Sequence, residues 1–80
     1  MISTKGRYAL RVMIDLAQHK DEEYVPLNEI AIRQEISEKY LEIVLKILVK
    51  KKLLKGRRGK GGGYQLTRKP SEYTVGEILE

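Results

Sequence analysis

The sequence predicts a mainly α-helical domain with one small β-hairpin, arranged as a winged helix-turn-helix: a three-helix core, a basic two-stranded wing and the start of a further helix. Three observations carry the prediction. Two amphipathic segments, Leu27–Gln34 and Ser37–Lys51, are parted by little more than the turn Glu35-Ile36, which is the spacing of a helix-turn-helix pair. Two short strand-like runs flank a glycine cluster, Gly59-Lys60-Gly61-Gly62-Gly63. The stretch from Lys46 to Lys69 holds ten Lys or Arg and no Asp or Glu.

Taking the elements in order, residues 4–18 place Ala9, Val12, Met13, Leu16 and Ala17 on one helix face. Ser3 or Thr4 can cap the start by accepting from a free N–H. Gly6 is a poor helix former there and costs up to about 1 kcal/mol relative to Ala. His19 suits the negative end of the helix dipole. An acidic link, Asp21-Glu22-Glu23, leads to Tyr24-Val25, which can form a very short strand. Pro26 has no N–H to leave unpaired at a helix start. Leu27–Gln34 follows as a short helix with Leu27, Ile30 and Ala31 inward.

Ser37 is a good N-cap for a third helix running to about Lys51. Tyr40, Leu41, Val44, Leu45 and Leu48 form its buried stripe. Ile43, Ile47 and Val49 widen that stripe beyond the needs of one core contact. Leu53–Arg58 and Gly63–Arg68 then pair as a hairpin, with Gly59 to Gly62 turning the corner. Pro70-Ser71 breaks the pattern. Thr74-Val75-Gly76-Glu77 is a capping box, T-x-x-E, and Ile78-Leu79 begin another apolar pattern.

A domain of 80 residues buries only about 60–65 % of its unfolded surface. Such domains usually lean on disulfides, a metal or a second subunit. Cysteine is absent and histidine occurs once, at His19, so no cofactor or metal is expected on this chain. Subunit association is the support left. No apolar run approaches the roughly 18 residues of a membrane span, and no secretory leader opens the chain. A cytoplasmic location without membrane contact is the expectation.

The net charge of +5 is unevenly placed. Outside the ten-cation stretch the chain is acidic by about five charges. Segregation of this kind builds a local positive field, which argues for a polyanionic partner, nucleic acid first. A phosphate loop fails on spacing, because Lys60 is followed by Gly61 rather than Ser or Thr. Tyr64 stands where a dinucleotide fingerprint needs Gly. No paired carboxylates, metal set or nucleophile–base arrangement stands out, so an enzyme is not expected.

Five motifs in register resemble the Rrf2 family of bacterial transcription regulators. They are Ile2-Ser3-Thr4-Lys5-Gly6-Arg7-Tyr8-Ala9, Val25-Pro26-Leu27-x-x-Ile30-Ala31 and Ile36-Ser37-x-x-Tyr40-Leu41-Glu42. Arg58-Gly59-x-Gly61-Gly62-Gly63-Tyr64-x-Leu66 and Thr74-Val75-Gly76-Glu77-Ile78 complete the set. The resemblance implies a homodimer that binds pseudo-palindromic duplex DNA and represses or activates transcription. It implies that residues 1–80 form the DNA-binding domain and that a C-terminal dimerisation helix starts near residue 74. Some members carry a [2Fe–2S] cluster on cysteines beyond the corresponding segment. Three positions depart from the family pattern. Glu35 and Lys52 stand where Gly is usual; in a left-handed conformation Glu35 would cost about 1–2 kcal/mol, and without the glycine that Lys52 replaces the third helix is expected to end differently. Ile43 replaces a common Gln, which bears on sequence preference rather than on DNA binding itself.

The candidate DNA contacts fall in three groups. Ser37, Glu38, Lys39, Tyr40 and Glu42 open the third helix, where N–H groups favour phosphate and Glu42 can accept from cytosine N4. The plainer reading is a capped, solvated helix start with Tyr40 in the core. Arg57, Arg58, Lys60 and Gly61 lie at the hairpin tip, and the resemblance singles out Arg58 for the minor groove. The plainer alternative is positive charge that protects a sheet edge from strand addition. Ser3, Thr4, Lys5 and Arg7 sit at the first helix's N-terminus, suited either to phosphate or to ordinary capping. Lys46, Lys50, Lys51, Lys52 and Lys55 serve long-range steering at most. An RNA-binding winged helix and a protein-interaction module using the third helix's wide apolar surface are the alternatives.

Overall fold

A computed structural model of the protein describes residues 2–79. The order is α1 (Thr4–Gln18), α2 (Leu27–Gln34), α3 (Glu38–Lys50), β1 (Leu54–Arg57), β2 (Gly63–Leu66), a 3-10 turn at Pro70–Glu72 and α4 (Val75–Leu79). This is the expected winged helix-turn-helix. The apolar stripes converge as patterned: Val12, Leu16, Ile30, Leu41, Leu45 and Leu48 are each within 2 % of complete burial. Leu53 and Leu54 carry the core into the wing's stem. Ala17, Leu27 and Tyr40 are half-buried rather than central, and Ile43 and Val49 are exposed while Ile47 is half-buried. Truncating a central side chain such as Leu45 to Ala should cost about 2–5 kcal/mol.

One buried group breaks the apolar pattern. Asp15 lies on α1 at 2 % exposure, among the residues that face α2. Arg33 grips it through Nε to Oδ2 at 3.0 Å and Nη2 to Oδ1 at 2.8 Å. Gln34 Nε2 adds a third donor at 2.8 Å. Burial alone would push the Asp15 carboxyl up, but the Arg33 and Gln34 hydrogen bonds and the Arg33 charge outweigh it and hold it below its ordinary value. Arg11 continues the chain of bonds, donating from Nε to Gln34 Oε1 at 3.0 Å and from Nη2 to the Gln34 carbonyl at 2.9 Å. These polar bonds join α1 to α2.

Both short turns use a left-handed residue that is not glycine. Glu35 sits at φ 52°, ψ 49°, and the amides of Glu35 and Ile36 return to the carbonyls of Ile32 and Ala31. Lys52 sits at φ 64°. Its amide reaches the Val49 carbonyl at 2.9 Å, and the Leu53 amide reaches Leu48 at 3.0 Å. That is the Schellman ending a glycine would give, so α3 does not end differently for having Lys52.

The wing strands are shorter than the pattern suggested. Leu54 pairs with Leu66 and Arg57 with Gly63, leaving Arg58 to Gly62 as the loop. Beyond Leu66 the ladder stops because the Thr67 and Arg68 amides turn to the Tyr73 hydroxyl instead, at 2.9 and 3.0 Å. Val25 makes the expected very short strand: its N–H and C=O exchange two 2.9 Å bonds with Tyr64. That approach needs Gly63, whose φ is 149° and where a Cβ would lie 2.2 Å from the Val25 carbonyl oxygen.

Thr74 and Glu77 form the capping box, with the Thr74 amide on Glu77 Oε2 at 3.0 Å and the Glu77 amide on Thr74 Oγ1 at 3.2 Å. Ile78 is buried, and α4 packs on α1. Gly6 now has a reason: a Cβ there would meet Leu79 Cδ2 at 2.9 Å.

Candidate nucleic-acid interface

The start of α3 is organised by Ser37. Its Oγ accepts from the Tyr40 amide at 3.1 Å, so the hydroxyl hydrogen stays available to donate outward. Glu38, Lys39, Glu42 and Ile43 are exposed along this turn. Tyr40 rests its ring edge-to-face on Tyr8, and the Arg11 guanidinium carbon lies 5.1 Å from the Tyr8 centroid. The first turn of α3 is therefore buttressed by α1.

At the wing, Gly59 and Gly61 hold positive φ values of 89° and 76° and let the loop turn tightly. Arg58, Lys60 and Gly61 are exposed on it. Neither Arg58 nor Lys60 enters an ion pair among the described residues. Arg57 behaves differently. It leans back toward the body, 5.8 Å from the Tyr24 ring and 3.8 Å from Glu23.

At the start of α1, Ser3 is the cap and accepts from the Gly6 amide at 3.0 Å. Thr4, Lys5 and Arg7 are exposed. Ser3 and Lys5 line a shallow cleft with Val44, Ile47 and Lys51, beside the later turns of α3. Tyr8, one turn on, is the α1 residue that reaches the opening of α3. The structure thus brings Tyr8, Arg11 and Tyr40 together and sets Ser3 and Lys5 against the other end of the same helix.

Residues the sequence did not single out hold this surface in place. Tyr8 braces Tyr40, and Arg11, three residues on along α1, lies over the Tyr8 ring; that i, i+3 spacing was the available signal. Arg68, one of the ten clustered cations, is withdrawn from the field: its Nη1 lies 2.8 Å from Glu77 Oε1. The Glu77 carboxyl is held below its ordinary value by the Arg68 and Thr74 hydrogen bonds.

The profile of the Rrf2 family, described as iron-dependent transcriptional regulators, matches residues 2–80. The chain belongs to the Rrf2 family. It is 46 % identical over 78 residues to the HTH-type transcriptional regulator IscR of Aliivibrio salmonicida, spanning 98 % of this chain and 46 % of that protein. It is 38 % identical over 78 residues to protein rrf2 of Nitratidesulfovibrio vulgaris, spanning 98 % of this chain and 52 % of that protein. Among solved structures, T. potens IscR superposes with a TM-score of 0.90 at 48 % identity, over 99 % of this chain and 58 % of that one. CymR, the global cysteine regulator of B. subtilis, gives 0.93 at 43 % identity, over 100 % and 64 %.

This Rrf2-family chain spans about half the length of the curated relatives it matches. Iron does not fit these residues. The 80 residues hold no cysteine, and no group of three or more His, Cys, Asp or Glu among the described residues could hold a metal ion. Among the described residues no helix is long and apolar enough to cross a membrane.

Proposed function

We propose that this Rrf2-family domain binds double-stranded DNA as the reading head of a bacterial transcription regulator, a homodimer working in the cytoplasm that represses or activates transcription. The opening of α3 enters the major groove, with Ser37 and Tyr40 on phosphate and Lys39 and Glu42 toward base edges. Arg58 enters the minor groove, while Gly61 lets the loop backbone approach and Lys60 meets phosphate. Glu38 stays at the helix mouth, and Arg57 makes at most a backbone contact because it already leans on Tyr24. Ser3, Thr4, Lys5 and Arg7 take the flanking phosphates. A helix continuing from α4 joins the two copies, so half-sites one helical turn or a multiple apart are expected.

The observation that carries this reading is the wing: exposed Arg58 and Lys60, in no ion pair among the described residues, on a narrow loop whose stem is pinned to the body at Val25 and Tyr64. The test is fluorescence anisotropy with a duplex selected from random-sequence pools, competed by RNA hairpins, at two salt concentrations. Duplex binding should weaken with a log–log slope of roughly −0.9 per neutralised phosphate. Arg58→Ala should weaken it by about 1–3 kcal/mol. Preference for RNA, or binding indifferent to salt, overturns the proposal in favour of an RNA-binding or protein-interaction role.

A further inference from the structure

Besides the Val25–Tyr64 bridge, one hydroxyl ties the base of the wing together. Tyr73 Oη donates to the Leu53 carbonyl at 2.8 Å and accepts from the Thr67 and Arg68 amides at 2.9 and 3.0 Å. Leu53 leads into β1, and Thr67 and Arg68 lead out of β2. A single oxygen therefore closes both legs of the hairpin at its base, using one donor and both lone pairs. Thr67 tightens the same point, with Oγ1 2.9 Å from the Lys52 carbonyl. The Arg68 guanidinium carbon lies 5.1 Å from the Tyr73 ring and its Nη1 reaches Glu77. The clasp is thus fastened to the capping box of α4.

We infer that Tyr73 is a positioning residue for DNA binding, setting the angle at which the wing carries Arg58. The inference rests on the proposed entry of Arg58 into the minor groove. A two-stranded ribbon on its own is only marginally stable in water, so its direction is decided where it joins the core. From Leu54 to Arg58 the ribbon reaches roughly 13 Å at about 3.3 Å per residue. Held at Tyr64, opposite Gly56, the ribbon pivots about halfway along, so a tilt of about 20° would carry the tip about 2 Å sideways, enough to take a guanidinium out of hydrogen-bond range. The Val25–Tyr64 bridge restrains the middle of β2 and the Tyr73 clasp restrains its end. Two restraints fix an angle where one would leave a pivot.

A double-mutant cycle tests this with the full-length protein and a selected duplex. Tyr73→Phe keeps the ring and removes the hydroxyl; Arg58→Ala removes the cation at the tip. Tyr73→Phe should weaken binding about 3- to 10-fold in the otherwise unchanged protein, and should add almost nothing once Arg58 is gone. Equal losses in both backgrounds would mean that Tyr73 acts through general stability, and the inference fails. No loss from Tyr73→Phe alone also overturns it. If Arg58→Ala by itself costs nothing, the proposed wing contact is what fails. Amide exchange at Thr67 and Arg68 is measured alongside and should speed up in Tyr73→Phe while the core amides stay protected. If Tyr73→Phe does not fold, Thr67→Val, which cuts the bond to Lys52, replaces it in the same cycle with the same expected non-additivity.

Discussion

Tyr8 and Tyr40 meet edge to face, with ring centroids 5.6 Å apart and planes at 82°, so the first turn of α3 leans on α1. The pair separates two roles of Tyr40. Tyr40→Phe keeps the contact and should leave thermal stability within about 0.5 kcal/mol. Its DNA affinity should drop about 3- to 10-fold with an unchanged salt slope, because a hydroxyl–phosphate bond releases no counterion. Undiminished affinity would remove that bond from the proposal. Tyr8→Ala, by contrast, should cost stability, at least the roughly 0.5–1.5 kcal/mol of an aromatic pair.

Asp15→Ala should destabilise the fold by about 3 kcal/mol, the low end for a broken buried pair because Arg33 keeps some access to water. The pH dependence has a definite sign. The Asp15 carboxyl is lower in the folded protein than its ordinary 3.8, so its contribution is fully present above about pH 4 and fades as pH falls through the folded value. Urea titrations of both proteins from pH 7 to pH 2.5 should show the gap closing only in the acid range. A gap that widens in acid would contradict the assignment.

Gly63→Ala places a methyl 2.2 Å from the Val25 carbonyl oxygen at a left-handed φ of 149°. The backbone must move, and the two Val25–Tyr64 bonds break. Unfolding free energy should fall by about 3 kcal/mol or more. The chemical shifts of Val25 and Tyr64 should move most, and unaltered shifts there would refute the account.

Glu35→Gly and Lys52→Gly should each stabilise the protein. Relief of left-handed strain, about 1–2 kcal/mol, exceeds the added freedom of the unfolded glycine chain, leaving about 0.5–1 kcal/mol. The two turns share no hydrogen bond, so the gains should add. Denaturant midpoints rising at constant slope would show it; a lower midpoint in either variant would count against the strain.

The elements that were legible in the sequence are those whose signal is local. Ser37 and the Thr74–Glu77 box announce helix starts through hydrogen bonds spanning three residues, and the stripe from Leu41 to Leu48 follows one helical period. Asp15 was not legible. Its partners Arg33 and Gln34 come eighteen and nineteen residues later, and their meeting depends on how α1 and α2 cross, which no local pattern encodes. Tyr73 hid for the same reason: between Pro70 and the capping box it reads as loop, and its value comes from the far ends of a hairpin. Of the candidate site, the exposed loop cations were readable as charge, whereas the inward lean of Arg57 and the pairing of Arg68 required the third dimension.

Asp15, Arg33, Gln34 and Arg11 bolt α1 to α2, and Tyr8 props the opening of α3. Flexing α1 against α2 would strip a sunken carboxylate of its three donors. Under the proposed function, the head would therefore meet its duplex as one piece.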